Sequence, residues 1–268
     1  MNGNESPYKL AHHQSRLDSV ITNFKNVGGI IRMTLKKCAA QVFLFVIVGS
    51  LALVSVEGHG MLLEPVGRSS RWRYDGSAPV NYDDNALYCG GYYKQWEVNG
   101  GKCGICGDDY SSSTPRPNEL GGKFGSGVIV STYQAGSTIS VGAQLTASHL
   151  GYFFFEICNL DAAGSESESC FQPLSLGNGA SKYPITSYAS AYYETTVELP
   201  AGVSCNHCVL RWTYVAGNNW GICDNGTGAL GCGPQETFKS CSDIEIISTR
   251  NAYEEVDLVD DIPEEDFV

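Results

Sequence analysis

The chain has 268 residues and a formal net charge of −12, from 17 basic and 29 acidic side chains. The first 58 residues hold six of the basic and three of the acidic side chains, so the remainder is more acidic still and has no basic stripe. The net negative charge and the lack of a basic stripe argue against nucleic acid as a partner, whereas an uncharged polymer remains compatible with them. Roughly 190 residues remain between the two terminal segments described below, which is enough for one well-buried domain.

Residues 1–58 are predicted to be a leader. Residues 1–32 are polar, and Met33 then opens a segment with a basic start and an apolar run over 39–56. Small residues precede a cleavage site after Gly58, as in a signal peptide. We therefore expect an upstream extension, a signal peptide from about Met33, and secretion. The apolar run is near the minimum length for crossing a bilayer, so an uncleaved anchor is the alternative.

Ten of the 11 cysteines follow the leader. An even number in a secreted chain predicts five disulfide bonds formed in an oxidising compartment, although the pairing stays open. The two Cys-x-x-Cys pairs, Cys103 with Cys106 and Cys205 with Cys208, superficially match a zinc ribbon. The six other cysteines and the leader favour disulfides instead. His207, inside the second pair, is then expected in a loop.

The middle of the chain changes character near residue 125. Residues 59–123 are rich in Gly, Pro, Tyr and Cys and are expected to be irregular, and a long cysteine-stapled loop of this kind is usually functional. Beyond it, short β-branched or alternating runs are separated by Gly, Pro and Asn, with no long helical period. This pattern predicts an all-β sandwich over residues 59–250. The predicted strands are 127–133, 137–144, 152–157, 192–199, 208–215 and 242–247.

Two segments carry surface signals. Residues 251–268 contain eight acidic side chains and are predicted to be a solvated, disordered tail. Asn225-Gly226-Thr227 is a glycosylation sequon, which predicts a glycan on Asn225 in a surface loop.

Three histidines follow the leader, and two of them suggest a metal site. If the chain is cut after Gly58, His59 becomes the first residue and offers both its α-amine and its ring. His149 lies at the start of an aromatic strand and could add a second imidazole. Three nitrogens in a planar T arrangement suit Cu(II). Taken alone, His149 would more often be a structural or surface histidine.

Other hydrolytic chemistries have little support in the sequence. There is no Gly-x-Ser-x-Gly elbow and no His-Glu-x-x-His motif. Acidic pairs at 83–84 and 108–109 leave a two-carboxylate glycosidase possible in principle but without positive evidence, because adjacent loop carboxylates are usually solvated.

Four ordered motifs resemble one known family. They are the stretch from His59 to Trp72, Ala147-Ser148-His149, the segment 208–221 that contains Arg-Trp-Thr-Tyr, and Gly-Pro-Gln-Glu-Thr-Phe at 233–238. Together they resemble the lytic polysaccharide monooxygenases, most closely the animal-type auxiliary-activity family 15. The likeness covers about residues 59–247 and implies an immunoglobulin-like or fibronectin-III-like β-sandwich.

The resemblance also implies a copper site and a set of residues around it. His59 would ligate through its amine and ring, and His149 through its ring, in a histidine brace. Phe238 matches an axial position at which many relatives carry tyrosine, and it cannot ligate. Ala147 matches the residue that crowds the opposite axial side. Glu236 matches a polar position near the metal.

The activity implied is oxidative cleavage of chitin or cellulose by a secreted, monomeric enzyme. An external electron donor would reduce the copper, which would use O2 or H2O2 to oxidise a glycosidic carbon. Tyr82, Tyr92 and Tyr93 are candidates for a flat substrate surface. The alternatives are a non-catalytic polysaccharide-binding module and a copper-binding protein of the same fold.

Overall fold

The computed structural model describes residues 58–248. The predicted leader before Gly58, its anchor alternative and the acidic tail lie outside the described residues. Helices in the described part are short: 3-10 turns at Arg71–Arg73 and Glu168–Cys170, a π-helical turn at Lys94–Val98 and an α-helical turn at Leu160–Ala163. Within residues 58–248, no helix has the length and apolar character needed to cross a membrane.

Strands dominate the described chain. They are β1 (His59–Glu64), β2 (Ser131–Gln134), β3 (Thr138–Ala147), β4 (Gly151–Asn159), β5 (Gln172–Pro173), β6 (Tyr183–Ile185), β7 (Ala191–Glu198), β8 (Cys205–Val215), β9 (Trp220–Ile222), β10 (Gly228–Leu230) and β11 (Thr237–Ile247).

The strands form two main sheets and a separate hairpin. The larger sheet has the order β2-β11-β8-β4-β5, with β6 also pairing β4, and the smaller has the order β1-β3-β7. All pairs are antiparallel except β2 with β11. β9 and β10 pair only with each other. The all-β sandwich predicted from the sequence is confirmed.

The core lies between the two sheets. Leu62, Val141 and Leu145 come from the smaller sheet, and Phe153 and Trp212 from the larger; all five are almost completely buried. Alternation along the strands places these side chains on one face. β8 is buried along most of its length, which is typical of a strand covered on both faces.

One segment expected to be irregular begins with a strand. His59–Glu64 pairs antiparallel with β3, placing His59 opposite Ala147 and Gly60 opposite Leu145. The six residues are too short to show a clear period, so their strand conformation depends on a partner about 85 residues away. A Cβ on Gly60 would lie 2.6 Å from Cδ2 of Leu145, so glycine is what allows this close approach to the core.

The ten cysteines of the described region form five disulfides, which confirms the predicted number. The pairs are Cys89–Cys103, Cys106–Cys241, Cys158–Cys170, Cys205–Cys208 and Cys223–Cys232. The expectation that His207 lies in a loop was wrong. It lies within β8, because the strand includes the whole Cys205–Cys208 segment. Its Nε2 is 2.7 Å from Oδ1 of Asp243.

Candidate metal centre

Strand register brings the two predicted ligand residues to the same edge of the sandwich. His59 opens β1 and pairs with Ala147, the last residue of β3. His149 follows two residues later, in the short connection before β4 begins at Gly151. His207 lies towards the opposite end of β8 from Tyr214, about 23 Å along an extended strand.

The backbone of His149 is fixed on both sides. Its N–H donates to the hydroxyl of Tyr214 at 2.9 Å, and its carbonyl accepts from the N–H of Gly217 at 3.0 Å. The Tyr214 hydroxyl in turn donates to the carbonyl of Leu150 at 2.7 Å. Burial raises the pKa of Tyr214 to about 12, so the phenol stays neutral at pH 7 and can both donate and accept.

The ring of His149 carries a buried nitrogen that lacks a protein partner. Its Nε2 is shielded from solvent and has no hydrogen bond to any described residue. A buried polar atom left without a partner costs free energy and calls for an explanation. Imidazole nitrogen is a good ligand for copper, so a bound copper ion would satisfy this atom.

Gly58 occupies the space beside this nitrogen. The residue is buried, and a Cβ on it would lie 2.8 Å from Cδ2 of His149 and 3.1 Å from Cζ of Phe238. Its N–H donates to Oε2 of Glu236 at 3.1 Å. A cut after Gly58 would both free the amine of His59 and vacate a space lined by His149, Phe238 and Glu236.

Phe238 forms the apolar wall of this space. Its ring is completely buried and stacks on Tyr214, with the centroids 5.5 Å apart. Tyr88 packs edge-on against both Phe238 and His59, at 6.2 and 6.3 Å. Neither Tyr88 nor Tyr214 was predicted as a site residue, although Tyr88 lies in the Tyr-rich segment 59–123 and Tyr214 in the Arg-Trp-Thr-Tyr motif.

Glu236 supplies a carboxylate at the same edge. Only 4% of the residue is exposed, and its backbone carbonyl accepts from Ala216 N at 3.0 Å, which fixes it at the entrance to β11. Among residues 58–248, no group of three His, Cys, Asp and Glu side chains could hold a metal.

The predicted substrate-surface tyrosines differ in exposure. Tyr82 and Tyr93 are 82% and 71% exposed, and Tyr82 packs edge-on against Trp72 at 5.5 Å. Tyr92 is only partly exposed. Asn225 lies in the exposed turn between β9 and β10, where its Oδ1 accepts from the hydroxyl of Thr227 at 2.7 Å.

Comparison with known proteins identifies the class to which this sandwich belongs. A protein-family model described as "Lytic polysaccharide mono-oxygenase, cellulose-degrading" matches residues 59–244. The solved structure of an AA15 lytic polysaccharide monooxygenase from Thermobia domestica in the Cu(I) state is 46% identical. The alignment covers 70% of this chain and 98% of that one, with a TM-score of 0.67.

More distant structures were also found. An AA10 lytic polysaccharide monooxygenase from Streptomyces lividans is 16% identical over 70% of this chain and 99% of its own. A chitin binding domain from Burkholderia pseudomallei is 10% identical over 71% and 100%. Both have a TM-score of 0.45. A search of curated proteins found no match.

The sandwich and the family match together define a copper-dependent oxidative enzyme. The chain belongs to the lytic polysaccharide monooxygenase family, and the predicted resemblance to its auxiliary-activity family 15 is confirmed.

Proposed function

We propose that this protein is secreted, is cleaved after Gly58, and acts as a copper-dependent monooxygenase on chitin or cellulose. The observation that carries the proposal is the buried, unpartnered Nε2 of His149, beside the space that Gly58 fills next to His59. In the processed chain, the amine and ring of His59 and the ring of His149 would hold one copper ion. With an external electron donor and O2 or H2O2, this copper would supply the oxidising chemistry.

The surrounding residues limit what can reach the metal. Phe238 offers no ligand atom, and its packing with Tyr88 and Tyr214 keeps that side apolar and closed. Ala147, opposite His59 in the β1–β3 pair, is proposed to restrict the space beside a copper ion that His59 and His149 would hold. The carboxylate of Glu236, already a hydrogen-bond acceptor here, is proposed to orient polar groups near the metal.

The substrate is proposed to be an insoluble, uncharged polysaccharide. Tyr82 and Tyr93 present exposed rings, and the partly exposed Tyr92 immediately precedes Tyr93. Aromatic rings of this kind can stack on the apolar faces of sugars. We further propose that the enzyme is a monomer and carries a glycan on Asn225.

The test begins with the protein secreted from a eukaryotic host. Intact mass and N-terminal sequencing, with and without one equivalent of copper, should give a chain that starts at His59 and retains one copper.

Incubation with a reductant and either chitin or cellulose should then release oxidised oligosaccharides, and His149→Ala should abolish both copper retention and release. A chain that starts elsewhere would contradict the proposed site. Copper retention without product would favour a copper-binding protein, and polymer binding without copper a binding module.

A further inference from the structure

The β9–β10 hairpin presents an exposed apolar face. Trp220, Ile222 and Leu230 are 65%, 57% and 66% exposed. Trp220 pairs with Leu230 and Ile222 with Gly228, so these side chains share one face of the hairpin. Gly221, between them on β9, is buried on the opposite face. The Cys223–Cys232 disulfide closes the hairpin.

The indole of Trp220 packs against the backbone of Gly228. A Cβ built on Gly228 would lie 2.3 Å from Cζ2 of Trp220 and 3.0 Å from its Cη2. The indole therefore covers the backbone of Gly228, and a side chain at position 228 would clash with it in this position. Because 65% of Trp220 remains exposed, the ring is held against the hairpin yet open to solvent.

The base of the hairpin is bonded to the segments that form the metal centre. Asn219 exchanges two hydrogen bonds with the side chain of Gln235, N to Oε1 at 3.0 Å and Nε2 to O at 2.9 Å. Gln235 immediately precedes Glu236. Gly217, two residues before Asn219, donates its N–H to the carbonyl of His149. The segment before β9 is therefore bonded to the backbone of His149, and the segment after β10 leads directly into Glu236.

We propose that this hairpin is a second sugar-binding element, on which Trp220 stacks against a pyranose ring of the polysaccharide beside the metal centre. The two strands contain no charged side chain, which suits a neutral polymer. Aromatic rings bind the apolar C–H faces of sugars, and Leu230 and Ile222 would extend the apolar contact. This inference rests on the proposed function, because the polymer that reaches the metal must pass over the adjoining surface.

The experiment measures binding separately from catalysis. Copper-free protein is titrated onto chitin and onto cellulose, and the bound fraction gives a dissociation constant for each. Trp220→Ala should weaken binding to the preferred polymer about three- to tenfold, as expected for the loss of one stacked ring. Trp220→Phe should retain most of the affinity. Gly228→Ala, which leaves the indole present but displaces it, should weaken binding in the same direction.

The matched control is Tyr110→Ala, which removes another exposed aromatic ring, one that packs beside Arg116 rather than on the hairpin. It should bind as the wild type does. Equal binding of Trp220→Ala and the wild type would overturn the inference, as would a concentration-dependent dimer that Trp220→Ala abolishes, since the face would then serve self-association. Failure of the proposed function would look different, because the copper-loaded wild type would release no oxidised product from either polymer.

Discussion

The phenol of Tyr214 joins the core strand β8 to the backbone that carries His149. It accepts from the His149 N–H at 2.9 Å and donates to the Leu150 carbonyl at 2.7 Å, while its ring stacks on Phe238. The connection between β3 and β4 is therefore held from within the core. A residue without contact to the metal would thereby determine where the imidazole lies.

Tyr214→Phe should weaken copper binding without removing a ligand. The change leaves the partly buried His149 N–H and Leu150 carbonyl without their shared partner, which costs about 1–3 kcal/mol of folding free energy. A loosened ligand of this kind typically lowers metal affinity about tenfold or more. Calorimetric copper titration of the processed protein measures the effect.

Tyr193→Phe is the matched control for this prediction. The Tyr193 hydroxyl is also buried but has no hydrogen-bond partner among the described residues. Its removal should leave copper affinity unchanged and cost little stability. Equal copper affinity in Tyr214→Phe and the wild type would show that the phenol does not position His149.

Gly60→Ala should disturb both the fold and the position of His59. The added methyl would lie 2.6 Å from Cδ2 of Leu145 and 3.0 Å from Cη2 of Trp212. Both side chains are completely buried and have little room to move, so we expect a loss of about 1–3 kcal/mol. Denaturant unfolding measures the loss, and copper titration tests whether β1 has shifted. Gly76→Ala, with no atom near the added methyl, is the control.

The sequence predicted the sandwich because its strands are marked by local alternation and turn residues. It predicted His59 and His149 through the cleavage site and the resemblance, not through any local strand signal. The strand at His59–Glu64 was missed because its partner, β3, supplies the pairing. The contact of Tyr214 with His149 joins residues 65 positions apart, and no spacing rule in a single sequence identifies such a contact.

The number of disulfide bonds could be predicted from the sequence, but their pairing could not, because the pairing depends on long-range packing. An even count in a secreted chain predicts five bonds. The bond from Cys106 to Cys241 spans 135 residues and depends on how the long loop packs against β11. Of the two Cys-x-x-Cys pairs, only Cys205 and Cys208 bond to each other, although both have the same spacing.

Asp243→Asn should destabilise the fold strongly. Asp243 accepts from Arg68 through both oxygens, at 2.8 and 2.6 Å, and its Oδ1 is 2.7 Å from Nε2 of His207. Both members of the Arg68–Asp243 pair are almost completely buried, and removing one charge of a buried pair typically costs about 3–5 kcal/mol. Guanidinium unfolding at pH 7 measures the change.

The control for this prediction is a carboxylate at the surface. Asp75 lies 3.5 Å from Arg71 and is partly exposed, so Asp75→Asn should leave the unfolding midpoint near that of the wild type. If Asp243→Asn behaved like Asp75→Asn, Glu166, which also contacts Arg68 at 2.5 Å, would be compensating the buried charge.

The pKa of Tyr192 should respond to Glu64. Burial, together with the hydrogen bond that the Tyr192 hydroxyl donates to Oε2 of Glu64 at 3.1 Å, raises this pKa to about 12. An unfolded tyrosine ionises near pH 10, so the stabilising contribution is present below about pH 10 and is lost as the pH rises towards 12. Glu64→Gln should lower the pKa of Tyr192 while leaving it above 10, because burial remains. An NMR titration of ring-labelled tyrosine measures it, with Tyr192→Phe to assign the signal. As a control, Glu245→Gln, on β11, should leave the pKa of Tyr192 unchanged. If Glu64→Gln also left this pKa unchanged, Glu64 would make no contribution and the prediction would be wrong.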